Sequence, residues 1–337
     1  MAARRPPAVA RVFERVTKTA RAHDMFRPGE LVLVCVSGGP DSVCLLTSLW
    51  HLRRLFRIRL ATFHFDHGLR EGARDDARYV RQLSERLRVP VRIETATEAP
   101  SKGTSVEGWA SAARGRAAET VRTELGAPVV AEGHTLDDQA ETVLLNLIRG
   151  TGLQGITGID PSVGTRPGSV TVQPLIDTTR TEVEAFCRAL HLRPRRDPMN
   201  DDRRFLRNAI RHDVLPELER ATGRSAKASI VRTADLLRAD RRELEAESSR
   251  AFRGLVTEDG GDVRFDATGL TQVSPVIAGR VIRMAAYQSL SDDRAAPWSR
   301  DAIDAVLDLA RGRPGRARDL PGGRRARRTR THVVIER

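Results

Sequence analysis

The sequence predicts an α/β protein, a parallel sheet with helices on both faces, followed by a helical linker and a small α+β domain. Three observations carry that prediction. Short apolar runs recur, beginning with Leu31-Val32-Leu33-Val34-Cys35-Val36, and an uninterrupted apolar run is what a strand buried on both faces requires. These runs alternate with stretches whose apolar residues fall three and four apart, the spacing of a helix that buries one stripe. Between them stand turn residues, foremost Ser37-Gly38-Gly39-Pro40-Asp41-Ser42, and strand, turn and helix in repetition build a parallel sheet. With 337 residues and 40% hydrophobic content, the chain suffices for one full α/β domain and a smaller one. The boundaries read at 1–218, 219–258 for the linker, and 259–337.

In chain order, residues 9–26 place Val9, Val12, Phe13, Val16 and Ala20 on one helical stripe that packs on the sheet. The strand at 31–36 then runs into the serine and glycine turn. Paired glycines let backbone approach a ligand, the first N–H groups of the following helix lack partners, and Ser37 and Ser42 add donors, so the turn suits phosphate. Pro40 fits a first helical turn. The spacing is neither a P-loop nor a G-x-G-x-x-G turn. Asp41 repels polyphosphate unless a cation stands between them, which implies magnesium.

A second strand, 59–65, ends in Asp66-His67-Gly68-Leu69-Arg70, and ligands collect at the carboxyl ends of such strands. His64 and His67 lack the further ligands a zinc site would need. A helix at 75–87, a strand at 89–93 and a helix at 103–125 follow, the last with Glu107, Ser111 and Arg114 on one face, a pattern that surface charge pairs also explain. Strand 128–131 leads into Gly133-His134-Thr135-Leu136-Asp137-Asp138-Gln139-Ala140-Glu141-Thr142. Here His134, Asp137, Asp138 and Glu141 stand three or four apart and share a helical face, while Thr135 and Asp138 satisfy a capping box. A histidine and three carboxylates converging where the first motif also sits favour function over capping alone. Arg149 roots a glycine-rich loop through Gly158. After a strand at 170–173 and a helix at 180–190 comes an arginine-dense run, 193–211, with a turn at Asp197-Pro198-Met199-Asn200. A polar helix at about 225–252 connects to the last domain, whose arginine-rich tail includes Arg324, Arg325, Arg327 and Arg328.

The formal net charge of +13 points to a polyanionic partner, nucleic acid above all. Lysine occurs only at Lys18, Lys102 and Lys227 among 57 basic residues, so part of the basicity reflects a compositional preference for arginine. The three cysteines, Cys35, Cys44 and Cys187, form no C-x-x-C pair and suggest neither disulfides nor a metal cluster. No apolar run is long enough to cross a bilayer and the basic start lacks a signal peptide's apolar core. A cytoplasmic protein without a membrane partner is expected.

Ser37 to Ser42 resembles the pyrophosphate-binding loop of the N-type ATP pyrophosphatases, the PP-loop family. Taken with His64-Phe65-Asp66-His67-Gly68-Leu69-Arg70, the block from Gly133 to Thr142 with Arg149-Gly150 after it, and Asp197-Pro198-Met199-Asn200 with Phe205-Leu206-Arg207-Asn208-Ala209-Ile210-Arg211, the chain resembles the tRNA(Ile)-lysidine synthetases over about 31–218. Ser111 and Gly115 stand where that family shows an arginine and a tyrosine, and Met199 where it shows a serine or threonine. The resemblance implies a Rossmann-like sheet of the adenine nucleotide α-hydrolase kind. It implies ATP and Mg²⁺, adenylation of the C2 oxygen of the wobble cytidine in tRNA(Ile) with a CAU anticodon, and attack by L-lysine. Asp41, His134, Asp137, Glu141 and Arg207 would then be catalytic. Ser37, Gly38, Gly39, Asp41, Ser42, His64 and Arg114 would bind nucleotide, Asp41 and Asp137 metal, and Arg324, Arg325, Arg327 and Arg328 tRNA. Asp137 and Glu141 are open between metal and the lysine ammonium, and His134 between proton transfer and the α-phosphate. The alternatives are another adenylating enzyme of this fold, thiolating or amidating, and a catalytically silent tRNA-binding protein. A homodimer is the assembly to test.

Overall fold

The computed structural model describes residues 5–68, 72–97, 106–166, 168–195, 202–289 and 298–336. The chain divides into two compact units, Met1–Asp235 and Leu236–Arg337. The first is built on six strands: β1 (Leu31–Cys35), β2 (Arg59–Asp66), β3 (Val91–Thr95), β4 (Val129–Ala131), β5 (Ser162–Arg166) and β6 (Ser169–Val172). They lie in the order β3-β2-β1-β4-β6-β5, parallel throughout except for β5 against β6. The helices are α1 (Pro7–Ala22), α2 (Pro40–Phe56), α3 (Ala73–Leu87), α4 (Val106–Leu125), α5 (Leu136–Ile148), the short α6 (Leu153–Ile156), α7 (Arg180–Ala189), α8 (Leu206–Ala209) and α9 (Leu215–Thr222). A π-helical turn, Ile210–Val214, joins the last two.

The alternation of side chains along β1 decides which helices cover which face. Val32 and Val34 point into a core with Val12 of α1, Leu46 of α2, Val80 of α3 and Phe186 of α7. Leu33 points the other way, to Phe63 of β2 and to Ala118 and Val121 of α4. A side chain of this size stabilises the fold by about 1.5–3 kcal/mol when fully buried, and Val32, Leu33 and Val34 are all completely covered. The chain runs β1 to β2 to β3 toward one edge, then returns to lay β4 against the free side of β1. The crossovers on either side of that pair diverge, which opens a crevice at the carboxyl ends of β1 and β4.

Two backbone features bring the motifs together there. Gly38, at φ +94°, takes a conformation that a side chain resists, so the turn can fold back over the start of α2. At Gly133 the reason is space: a Cβ would sit 3.2 Å from the Asp41 carbonyl carbon and 3.3 Å from the Ser42 nitrogen. Backbone cannot yield as a flexible side chain can, so glycine is what lets the β4–α5 turn lie directly on the phosphate-type loop.

The expected strands match to within two residues, the helix expected at 9–26 ends at Ala22, and the hairpin strand β5, the short helix α6 within the glycine-rich loop, and α9 were not expected. Gly103-Thr104-Ser105, Leu69-Arg70 and Asp197 to Asn200 lie outside the described residues. The long helix expected at 225–252 is α10 (Ala226–Leu255). The second unit adds β7 (Val256–Asp259), β8 (Asp262–Asp266), α11 (Ala267–Gln272), α12 (Pro275–Ser289), α13 (Arg300–Arg311), β9 (Ala317–Leu320), β10 (Arg324–Arg328) and β11 (His332–Glu336). Its strands form an antiparallel sheet, β7-β8-β11-β10-β9, and Phe265, Val281, Ile282, Val306 and Val333 are buried in its own core.

Candidate active site

The crevice begins with the turn after β1. Ser42 Oγ accepts from the Ser37 N–H at 3.2 Å and donates to the Gly39 carbonyl at 3.0 Å, and Ser37 Oγ accepts from the Gly39 N–H at 3.3 Å. The two hydroxyls, 3.2 Å apart, thus tie the loop into a small ring at the head of α2. Its first-turn N–H groups have no partner within the helix, and the macrodipole favours an anion in front of them. Arg195 braces the loop: its N–H donates to the Gly38 carbonyl at 2.8 Å while its guanidinium holds Asp76 at 3.2 Å. The sequence reading did not single out Arg195, which lies far from Gly38 along the chain.

Asp41 is the uncomfortable member. Its Oδ1 is buried without a hydrogen-bond partner. Burial, and then the charge of Asp138, push its carboxyl up to about 7 against the pull of Arg180 and Arg211. No donor satisfies Oδ1 of this carboxylate, and a divalent cation held between it and a polyphosphate would do so.

Asp137, Asp138 and Glu141 do come together on α5, each buried. Thr135 caps the helix, with Asp138 Oδ2 accepting from its N–H at 2.9 Å and its hydroxyl at 2.7 Å, so capping and clustering hold at once. Asp138 Oδ1 faces Arg180, Arg207 and Arg211 at 3.3, 3.3 and 3.5 Å. Burial raises that carboxyl, but Arg180, Arg207, His134 and the Thr135 hydroxyl outweigh it and hold it below the ordinary range. Glu141 receives Arg211 at 2.6 and 2.8 Å and Arg207 at 3.1 Å, a paired fork of the kind guanidinium makes with carboxylate. Arg207 and Arg211 sit one turn apart on α8 and the π-helical turn, which turns both toward α5. Arg207 was expected here. Arg211 and Arg180 were not, although the four-residue spacing of Arg207 and Arg211 was a usable signal.

Asp137, expected among the metal ligands, is otherwise engaged. Its Oδ2 accepts the Arg180 backbone N–H at 2.8 Å and its Oδ1 the Lys227 ammonium at 2.7 Å. Among the described residues no cluster of three or more His, Cys, Asp or Glu side chains is arranged to hold a metal ion. His134 precedes the cap of α5 and so lies off its acidic face. Its Nδ1 donates to Gln173 Oε1 at 2.9 Å, and Gln173 donates in turn to Glu132 at 3.0 Å, which fixes the ring and its tautomer.

His64, at the carboxyl end of β2, donates from Nδ1 to the Val36 carbonyl at 2.7 Å. Burial lowers its pKa, so the ring is neutral and Nε2 is a buried acceptor with no partner. Arg114 is exposed on α4, where its charge reaches Cys35 at the end of β1. In the second unit, β10 alternates its arginines. Arg325 and Arg327 are exposed and pair with Asp319 and Glu336, Arg324 is half-buried, and Arg328 is buried and donates to the Thr329 carbonyl. The period of two in a strand thus sets Arg328 on the opposite face from Arg325 and Arg327 among the four arginines expected to bind tRNA.

The family model for the PP-loop domain matches residues 9–218. The tRNA(Ile)-lysidine synthase of Symbiobacterium thermophilum is 37% identical over 324 residues, covering 93% of this chain and 66% of that protein. The tRNA(Ile)-lysidine synthase of Salinispora tropica is 34% identical over 330 residues, covering 97% of this chain and 96% of that one. The chain therefore spans just under two thirds of the length of the first relative and nearly all of the second. Among solved structures, the U34-tRNA thiolase NcsA from Methanococcus maripaludis superposes with a TM-score of 0.59 at 21% identity, over 68% of this chain and 79% of that one, a likeness of fold.

Proposed function

The chain belongs to the PP-loop family of tRNA(Ile)-lysidine synthases, and from that premise we propose that it converts the wobble cytidine of a CAU-anticodon isoleucine tRNA to lysidine. In the first step the C2 oxygen of the cytidine attacks the α-phosphorus of ATP and pyrophosphate leaves. In the second, the neutral ε-nitrogen of free lysine attacks C2, the C–O bond breaks, and AMP departs with that oxygen. The observation that carries this reading is a phosphate-type loop packed directly on an acidic helix face that already holds an ammonium.

Roles follow from what each group can do. Ser37, Gly38, Gly39 and Ser42 cradle the phosphates, and the acceptor His64 Nε2 meets a hydroxyl or amino group of the nucleotide. Arg207, fixed by Glu141 and Asp138, neutralises charge at the α-phosphate. Asp41 is the metal ligand, and a bound Mg²⁺ would offset phosphate charge. Asp137 takes an ammonium of the lysine. His134 serves proton transfer or the α-phosphate, and Arg114 reaches the nucleotide only if ligand draws it in. A thiolating activity is disfavoured by the thiols themselves. Burial drives Cys35 and Cys187 up to about 12 and Cys44 well above its ordinary value, and a sulfur carrier needs a thiolate. A tRNA substrate places the work in the cytoplasm. No described helix is long and apolar enough to cross a membrane.

Mass spectrometry of nucleosides from a CAU-anticodon isoleucine tRNA incubated with protein, ATP and lysine tests the proposal. Lysidine is expected. Pyrophosphate release without lysidine would point to a different adenylating enzyme, and no release at all to a silent binder.

The exposed arginines of β10 are assigned to tRNA. Neutralising Arg325 and Arg327 together should weaken tRNA binding and flatten its salt dependence. The slope of log affinity against log salt should shrink by a bit under ~1 unit for each phosphate these arginines neutralise. Titrations over a salt series check this, and an unchanged slope would return both residues to their pairings with Asp319 and Glu336.

A further inference from the structure

We infer that Lys227 is a resident occupant of the amine position: its ε-ammonium holds Asp137 until a free lysine displaces it. The inference rests on the lysidine reading above and adds a gate to it.

Three observations support this. Asp137 is the one α5 carboxylate of the three whose side-chain cation is an ammonium, at 2.7 Å. Asp138 and Glu141 are held by guanidinium groups. In a chain with three lysines among 57 basic residues, a lysine stands where an ammonium-bearing substrate is to bind. The local setting of Lys227 also argues against a merely structural tie. It lies in the first turn of α10, where the macrodipole opposes a cation. Its side chain is about one-third exposed while that of Asp137 is 7% exposed, so the lysine reaches a buried carboxylate from the solvent side and can withdraw without disturbing the core. An arginine there would bind the carboxylate through two donors and leave less readily.

A tethered ammonium is a competitor at high effective concentration. An incoming amine must displace it, which a simple amine cannot do and which lysine achieves through its further contacts. The resident group thereby keeps adenylated tRNA from reacting with the wrong nucleophile. When lysine enters, one ammonium replaces another on Asp137 Oδ1, and no charge is left uncompensated.

The first test is a footprint on the wild-type protein. With only three lysines, acetylation by a limiting amine-reactive reagent is read site by site by mass spectrometry, and exposed Lys18 serves as the internal reference. Adding L-lysine should raise the ratio of Lys227 to Lys18 modification roughly 5-fold or more, while norleucine, which keeps the α-amine and side-chain length but lacks the ε-amine, should leave it unchanged, reagent depletion cancelling in the ratio. A ratio indifferent to lysine overturns the inference. The second test is kinetic. Lys227→Met should lower the KM for lysine by about 5- to 10-fold with the KM for ATP unmoved, and Lys227→Arg should raise it. A structural tie would instead give Lys227→Met an unchanged or higher KM for lysine, which also overturns the inference. If the wild-type protein makes no lysidine, the lysidine reading itself fails. If it makes lysidine and both tests are negative, the gate alone fails.

Discussion

Asp41→Asn is expected to abolish tRNA-dependent pyrophosphate release, by roughly 10²–10³-fold or more, while leaving tRNA affinity largely intact. Asparagine keeps the shape of the side chain and removes the charge, so the loop can still form but no longer anchors a cation beside the phosphates. The same residue links activity to stability. With its carboxyl raised from 3.8 to about 7, the native state binds more protons than the unfolded chain between those values, and stability falls as pH rises through that window. The penalty is complete above pH 7, with a ceiling of roughly 4 kcal/mol at about 1.4 kcal/mol per pH unit. Thermal melts of the unliganded protein should therefore show wild type losing stability from pH 4 to pH 8, Asp41→Asn flatter, and the variant more stable at pH 8. Near wild-type turnover at saturating Mg²⁺, or parallel melting curves, would remove Asp41 from this role.

Glu141→Gln carries the second large effect. The Glu141 side chain is about 1% exposed and faces Arg180, Arg207 and Arg211 at once. Removing one partner of a buried charge network costs about 3–5 kcal/mol, because the remaining charges stay buried. Arg207 and Arg211 lose their fixed positions, so lysidine formation should fall steeply. Single-turnover assays with labelled ATP separate the steps. If Glu141 acts by holding Arg207 for the α-phosphate, adenylation fails with or without lysine. Adenylated tRNA accumulating in the variant would assign Glu141 to the amine instead, and wild-type rates for both steps would take α5 out of the mechanism.

How far the sequence could be read depended on the range of the interaction. The phosphate-type turn and the acidic stripe of α5 were legible because each is local, a strand running into glycines in the first case and a three- and four-residue spacing in the second. The partners were hidden by distance along the chain. Lys227 is 90 residues from Asp137, Arg180 lies 39 from Glu141, and Gln173 is 39 from His134. No periodicity links such pairs. They meet because β4 and β6 are neighbours in the sheet and because α7, α8 and α10 begin beside α5. Strand β5 was missed because Ser162–Arg166 has only one large apolar residue, Val163, though the Pro-Gly dipeptide that follows it in the sequence, with Gly168 at φ +76°, is a turn signal. That Arg328 is buried while Arg325 and Arg327 are exposed was not legible, because a basic run shows its two faces only once the strand's alternation is known.

The Asp41 patch has a consequence for how ligands arrive. Among the described residues it sets Asp41, Asp137, Asp138 and Glu141 against Arg180, Arg207, Arg211 and Lys227, so with Asp41 ionised the charges balance before anything binds. A polyphosphate entering a neutral patch is not drawn by surplus positive charge, so nucleotide and divalent cation should enter as a pair. Lysine behaves oppositely, because trading one ammonium for another is ion exchange and leaves the patch neutral. Its affinity should hardly respond to ionic strength, whereas the RNA, held by released counterions, should respond steeply. Salt becomes a means of loosening one substrate while leaving the other in place.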